Sequence, residues 1–209
     1  EHASIVEYHP VSSLSDGAPI EFDISSSGED YIDFTNSQLY VRAKITKADG
    51  TPIGATEKVG TINNTLHSLF SQVDVTLNGT QITDSTNTYP YRAYIEDLLS
   101  YGREAKHSHL TCALFYKDEA GKMDSNDPSV ADANDGLKTR STFTAGGREV
   151  DLVGRLHADI FFQSRYMINE VNTKIKLTRS KDSFFLMTSE GEQYKLKIIN
   201  AVMRIRKVK

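Results

Sequence analysis

One short segment places several possible metal ligands close together. His107 and His109 are two residues apart, so a strand would carry both imidazoles on one side, and Cys112 follows three residues later. Zinc sites in proteins use three or four such ligands around the ion. No further ligand clusters beside this segment, so we interpret the histidines as surface residues and Cys112 as a small buried hydrophobe. We therefore predict no metal site.

The other histidines give no catalytic pattern. His2, His9, His67 and His157 are scattered along the chain, and none is paired in sequence with a nucleophile and an acid. The sequence also lacks a Gly-x-Ser-x-Gly turn, a phosphate-binding loop and a paired-histidine protease motif. We predict no catalytic residues, no cofactor and no enzymatic activity.

Residues 124–136 are rich in oxygen ligands and resemble a calcium-binding loop in part. Pro128 stands where a further ligand should be, and the last position holds no glutamate, so we predict a solvated surface loop. Gly146-Gly147-Arg148 could bind an anion, but we predict a hairpin turn between two strands there. Asn63 and Asn78 match the glycosylation sequon, which we interpret as chance.

Basic residues are concentrated near the end of the chain. They are Lys195, Lys197, Arg204, Arg206, Lys207 and Lys209. They could contact nucleic acid, but the formal net charge of −4 argues against a protein built to neutralise phosphates. We predict instead the outward face of an edge or solvent-facing strand, where lysine prevents unwanted strand pairing. Specific nucleic-acid binding is not expected.

The composition is that of a folded chain with a sizeable core. Of 209 residues, 38% are hydrophobic, and a single cysteine excludes an internal disulfide. No stretch approaches the roughly 20 apolar residues of a membrane helix, so we predict no membrane insertion. Ten Tyr and nine Phe, with no Trp, are spread over the whole sequence. Tyrosine is common at protein contacts, so this spread suggests association surfaces.

Alternation of apolar and polar residues with period two predicts most of the secondary structure. It runs through 20–24, 39–45, 73–82, 150–160, 171–177 and 194–207, and the Thr-rich segment 137–144 is a further candidate strand. Asn78-Gly79 predicts a tight hairpin turn. A change of parity between Ile198 and Ile199 predicts a bulge or a strand buried on both faces.

Helical spacing is clear in one place. Tyr91, Tyr94, Ile95, Leu98 and Leu99 follow Pro90 at intervals of three and four, with Glu96, Asp97 and Ser100 opposite. This spacing predicts an amphipathic helix over about 90–101. Residues 107–115 fit either a short helix or a strand.

Together these elements predict an all-β fold. We expect an antiparallel eight-stranded jelly-roll sandwich with the one inserted amphipathic helix (about 90–101). Long inter-sheet loops over 46–64 and 117–136 suit this topology. The lack of regular strand–helix alternation excludes a doubly wound parallel sheet.

Several long strings are similar to those of one protein family. They include 66–79 (LHSLFSQVDVTLNG), 87–96 (NTYPYRAYIE) and 154–162 (GRLHADIFF), with shorter ones at 6–12, 19–24, 28–33, 113–118 and 166–172. In order and over nearly the whole chain they resemble the major capsid protein of Polinton/Maverick elements and adintoviruses, of the double jelly-roll lineage. The resemblance covers the N-terminal jelly-roll portion of that family.

The resemblance implies a structural role in a virion. It implies trimeric or hexameric capsomers, an icosahedral shell enclosing double-stranded DNA, and assembly inside the host cell. Neighbouring capsomers and penton or minor capsid proteins would be the partners. For domains, we expect an N-terminal lead-in arm over 1–18 and a single jelly roll over 19–209, the first of two in the parent protein. Alternatives are a jelly-roll module that binds carbohydrate or another ligand, and a host-domesticated capsid-derived protein.

Overall fold

A computed structural model describes residues 2–25, 28–189 and 194–209. The strands are β1 Ala3–Tyr8, β2 Ile20–Ile24, β3 Tyr31–Lys47, β4 Val59–Thr61, β5 Phe70–Leu77, β6 Thr80–Gln81, β7 Val150–Gly154, β8 Thr173–Arg179, β9 Leu186–Thr188 and β10 Tyr194–Val208. The helices are α1 Thr65–Ser68, α2 Tyr89–Ser100, α3 Arg103–Lys106, α4 Asp135–Thr144 and α5 Asp182–Phe185, with 3-10 turns at His109–Ala113, Ala145–Gly147 and Asp159–Phe161.

Two four-stranded sheets carry the fold. One has the order β1-β10-β3-β7 and the other β2-β8-β5-β6, and all these pairings are antiparallel. Except for the β5–β6 hairpin, successive members of these sheets alternate between the two layers. This winding is that of an eight-stranded jelly roll, so the predicted fold class is confirmed. A short β4–β9 ribbon is added to it.

The core lies between the two sheets. Alternate residues of the long strands bury their side chains there, as Leu39, Val41 and Ala43 do on β3 and Ile175 and Leu177 on β8. β3 and β10 pair with each other over most of their length. The predicted parity change of β10 is confirmed as a bulge, because the register shifts between Ile198 and Asn200. The bulge lets both halves of β10 face the core.

The N-terminal segment differs from the prediction. We expected a lead-in arm over 1–18, but β1 pairs with β10 from Ala3 to Tyr8 and forms an edge of the first sheet. The sandwich therefore begins at Ala3. The side chains of β1 are exposed or half-buried, so backbone pairing holds this strand without a strong apolar alternation in the sequence.

The turn predictions had mixed outcomes. Asn78 and Gly79 both have positive φ and join β5 to β6, which confirms the hairpin. The predicted strand over 137–144 is wrong, because these residues belong to α4, capped by the Asn134 side chain, which accepts from the Gly136 N–H. Gly146-Gly147 is therefore not a hairpin turn, and it connects this helix to β7. Residues 109–113 form a 3-10 turn, so the helical alternative for 107–115 is the better one.

Helix α2 exists where predicted, but it is turned so that only part of its predicted apolar side is buried. Its buried side includes Ala93 and Asp97, whereas Tyr91, Ile95 and Leu99 are exposed. Of the five apolar residues that helical periodicity predicted to face inward, the other two are half-buried. The predicted polar side is not inward as a whole either: only Asp97 of that side is buried, where it accepts a hydrogen bond from the Asn64 amide.

A buried arginine holds α4 against its surroundings. Arg140 is 2% exposed, and its guanidinium donates to the carbonyls of Thr61 at 2.8 Å and Tyr116 at 2.6 Å and to Asp118 at 2.8 Å. Burial lowers the pKa of Arg140, and the Asp118 carboxylate counteracts this effect. In the described parts of the chain, no helix has the length and apolar content needed to cross a bilayer.

The orientation of α2 can be tested with two substitutions on its opposite sides. We expect Leu99→Ala to change the free energy of unfolding by less than about 0.5 kcal/mol, because the side chain is exposed. We expect Ala93→Leu to cost about 1–3 kcal/mol through overpacking. Urea unfolding followed by circular dichroism measures both. A loss of about 2 kcal/mol or more in Leu99→Ala would mean that the apolar side faces inward.

The Arg140 site gives a second stability prediction. Asp118→Ala leaves the buried guanidinium without its counter-ion, so we expect a loss of about 3 kcal/mol in the free energy of unfolding. Asp124→Ala, at an exposed carboxylate of the same loop, is the matched control and should change it by less than about 0.5 kcal/mol. Equal effects in urea unfolding would contradict a stabilising role for the Asp118–Arg140 pair.

Candidate functional site

The connection from β6 to β7 carries most of the helical structure. Residues 82–149 include α2, α3 and α4 and extend outside the two sheets. On α2, the exposed fractions are 58% for Tyr91, 52% for Ile95 and 77% for Leu99. These residues are spaced by four and lie on one side of the helix. We call these three residues the outer stripe.

The outer stripe reaches a second element at one end. The Tyr91 ring lies edge-on to the Phe184 ring of α5, with a centroid distance of 5.9 Å. Contiguous exposed apolar surface on a soluble domain marks an interaction site more often than scattered single residues do. The arrangement is suited to packing against another protein surface.

The inward side of α2 meets a group of buried polar residues. His67 of α1, Asp97 of α2 and His157, which precedes the 3-10 turn at Asp159–Phe161, are 3%, 1% and 4% exposed. The two imidazole rings are nearly perpendicular, with centroids 4.6 Å apart. We call these three residues the buried triplet. None of the three was predicted as a site residue: His67 and His157 were interpreted as scattered histidines, and Asp97 was predicted to lie on the solvent side of its helix.

Each member of the buried triplet is held by a neighbouring polar side chain. His67 Nδ1 lies 2.9 Å from the Tyr89 hydroxyl, and His157 Nδ1 lies 2.7 Å from Glu96 Oε2. Asp97 Oδ2 accepts a hydrogen bond from the Asn64 side-chain amide at 2.7 Å. Asn64 adopts a left-handed backbone, with φ of 57°. The triplet is thus fixed in position by contacts from several segments.

The environment controls the charge of these groups. Burial, together with the neighbouring His157, lowers the pKa of His67 well below its usual value, so this imidazole is neutral at pH 7. Burial also raises the pKa of the Tyr89 hydroxyl, which therefore stays protonated. A neutral imidazole can accept a hydrogen bond or bind a metal ion.

A cavity of about 570 Å³ opens next to the buried triplet. Its wall includes His67, Asp97 and His157 and also His109 and Cys112 of the 3-10 turn. Cys112 is exposed, so its prediction as a buried hydrophobe is wrong. His107 and His109 are surface residues, as predicted, but they lie on helical turns and not on a strand.

The oxygen-rich loop 124–136 uses its carboxylates within its own chain. Asp127 accepts from the Ser129 N–H at 2.8 Å and from the Ser129 hydroxyl at 2.6 Å. Asp132 pairs with Lys122 at 2.8 Å. These contacts lower the pKa of both carboxyls. They match the surface loop that was predicted.

The basic residues near the end of the chain are largely paired. β10 lies between β1 and β3, so it is not an edge strand. Arg204 meets Glu7 at 3.0 Å, and Arg206 meets the buried Asp33 at 2.7 Å. Lys207, at 8% exposure, does not point to water. The prediction of an edge strand is therefore wrong. The predicted solvent-facing side holds for Lys197, which is exposed, and for Arg204, whose side chain is 37% exposed, but not for Lys207.

The two sequon asparagines have structural roles. Asn63 is buried, and its side-chain oxygen accepts from the Asn64 N–H and the Tyr116 N–H, both at 2.8 Å. Asn78 forms the hairpin turn, and its side-chain oxygen accepts from the Asn172 N–H at 2.8 Å.

Comparisons with known proteins give distant similarities. No protein-family model matches the sequence. The uncharacterized protein F54H12.2 of Caenorhabditis elegans is 25% identical over 187 residues, which cover 86% of this chain and 42% of that protein.

Among solved structures, VP54 of PBCV-1, fitted into a cryo-EM reconstruction of the virophage Sputnik, aligns over 98% of this chain and 42% of that one. Its TM-score is 0.49, with 12% identity. The mavirus major capsid protein aligns over 97% of this chain and 46% of that one, with a TM-score of 0.44 and 15% identity. The chain spans less than half the length of each of these proteins.

Proposed function

We propose that this chain is a structural protein of viral-capsid type, a jelly roll that self-associates into capsomers. Jelly rolls of this winding serve in viral capsids but also in lectins and cupins, so the fold alone does not select the role. The observation that carries the proposal is the outer stripe, Tyr91, Ile95 and Leu99, on the solvent side of α2. A second copy of the chain is the occupant we assign to it.

The arrangement of helix and sandwich suits tiling. The two sheets form the body of the domain, while helix α2 presents apolar side chains outside it. A stable contact between two copies buries about 1,200–2,000 Å² in total. The stripe alone is smaller, so adjoining parts of the insertion, including loop 117–136, would complete the interface. Each contact can be weak, because a closed assembly multiplies it over several neighbours.

The finer features of the proposal come from the resemblance of the long sequence strings. They are membership of the double jelly-roll lineage of Polinton/Maverick elements and adintoviruses, and a second roll following this one. A virion location, assembly inside the host cell, a shell around double-stranded DNA and partners such as penton proteins belong with them. A single roll would need six copies in place of three to form a hexagonal capsomer.

The proposal is tested by the oligomeric state of the purified chain. We expect ring-shaped oligomers in negative-stain microscopy and in native mass measurements as the concentration rises. Apolar burial should make them persist at high salt and strengthen in sulfate, whereas contacts between exposed charges would weaken. A chain that stays monomeric at every concentration and salt contradicts the proposal. Retention of that monomer on a glycan array would favour the ligand-binding alternative.

The outer stripe is tested by one charge substitution and a matched control. Leu99→Glu should shift the native-mass distribution to monomers, because a carboxylate buried in an apolar contact is costly. Val11→Glu, at a side chain that is 69% exposed and far from α2 in sequence, should keep the oligomer. Circular dichroism checks that both variants fold. If both variants assemble alike, α2 is not the contact.

A further inference from the structure

The buried triplet resembles the ligand set of a metal site. His67, Asp97 and His157 each offer one ligand atom, and these atoms lie within 4.8 Å of one another. His157 Nε2 and Asp97 Oδ1 are 3.4 Å apart. This distance is long for an N–H···O hydrogen bond, whose usual value is about 2.9–3.0 Å. It is close to the separation of about 3.3 Å between two ligands of one tetrahedral zinc ion, given bonds of about 2.0–2.1 Å.

The Nδ1 atoms of the two histidines point away from the triplet and contact polar side chains, as is usual for histidines that bind a metal ion. A histidine that binds a metal commonly donates its other N–H to a carboxylate, a carbonyl or a similar acceptor, which fixes its tautomer. Here the Nδ1 atoms of His67 and His157 contact the Tyr89 hydroxyl and the Glu96 carboxylate. Asp97 is oriented by the amide of Asn64. His157 Nε2 faces Asp97 Oδ1, and Nε2 is the ring nitrogen of His67 that the Tyr89 contact does not use.

The charge of the site also calls for a cation. Asp97 is buried, and among the described residues no lysine or arginine lies within 4.0 Å of it. The competing explanation is that His157 only bridges Glu96 and Asp97 through its two ring nitrogens. That explanation does not account for the second buried imidazole, His67, which packs against the same ring.

Gly154 leaves space beside the triplet. A Cβ atom at this position would lie 3.2 Å from His67 Nε2 and 2.8 Å from the Leu66 side chain, so any larger residue would intrude on the ring nitrogen. The same glycine lines the cavity of about 570 Å³ that contains His109 and Cys112. A fourth coordination position would open into this cavity, to water or to one of these two side chains.

We propose that His67 Nε2, Asp97 Oδ1 and His157 Nε2 form a binding site for a divalent transition-metal ion, with zinc favoured by the donor set. Two imidazoles and one carboxylate with an open fourth position are typical of zinc. The ligands come from α1, from α2 and from the segment before the 3-10 turn at Asp159–Phe161. The ion would therefore tie the inserted helix α2 to the sandwich. This site goes beyond the proposed capsid role and does not depend on it.

Metal uptake by the whole chain tests the site directly. After treatment with EDTA and dialysis, zinc chloride is titrated in against a chromogenic chelator, and Co²⁺ binding is followed by its visible absorption. We expect one ion per chain and a tetrahedral or five-coordinate Co²⁺ spectrum. A folded native chain that takes up neither ion stoichiometrically overturns the proposal.

Substitutions locate the ion. We expect His157→Gln and Asp97→Asn to weaken zinc binding by more than 100-fold, and Glu96→Gln, at a partly exposed partner of His157, to weaken it by about 10–100-fold. His107→Gln is the control, since His107 is exposed and lines a different cavity, and it should bind like the native chain. Glu96→Gln keeps the test decisive if a triplet variant fails to fold. Binding that survives Glu96→Gln and His157→Gln but is lost in His107→Gln would place the ion on the surface and refute the site.

Discussion

The burial of Asp97 is the constraint on which the inserted helix depends. A carboxylate that is 1% exposed is costly unless its oxygens have polar neighbours. The Asn64 amide donates to one oxygen of Asp97, and the other oxygen lies 3.4 Å from His157 Nε2. Because Asp97 faces inward, the residues on the other side of α2 must face outward. The exposure of the outer stripe is thus a consequence of one polar interaction in the interior. The orientation of α2 about its own axis therefore places Asp97 at the proposed metal site and the outer stripe at the proposed assembly surface.

The sandwich positions the residues of that interaction. Asn64 and His67 belong to the segment that leads into β5, and His157 follows β7 after the chain leaves the first sheet. β5 and β7 lie in different sheets, so the two histidines are brought together only by the packing of the layers. The long β3–β10 pair fixes the first sheet along most of its length. The site is therefore positioned by the whole jelly roll and not by one local motif.

Much of the sandwich could be predicted from the sequence, because its strands bury one face and so alternate. The residues of β2 coincide with the predicted strand, and the bulge in β10 follows from a visible change of parity. β1 was missed because an exposed edge strand needs no apolar alternation. Helix α4 was taken for a strand because threonine is frequent in it. Its buried positions, Leu137, Arg140 and Thr144, have helical spacing, but one of them is an arginine, which a search for apolar residues overlooks.

The candidate site was far harder to predict, for a physical reason. Periodicity assumes that apolar side chains face inward, and α2 violates that assumption at Asp97. The members of the buried triplet are 30 and 60 residues apart in the sequence, so no local spacing connects them. His107 and His109 are only two residues apart in the sequence, yet they are exposed residues on short helical turns. The three residues are brought together by long-range contacts, and these contacts are known only from the three-dimensional structure.

The two sides of α2 need not be coupled merely because they share a helix. An ion that binds the native chain stabilises it by mass action, in proportion to the logarithm of the ion concentration over Kd. It changes self-association only if it binds the assembled and free chains with different affinity. With α2 docked in both states, the ion would raise stability and leave assembly unchanged. Coupling therefore requires that some free chains have α2 displaced, so that the ion shifts them to the state that presents the outer stripe.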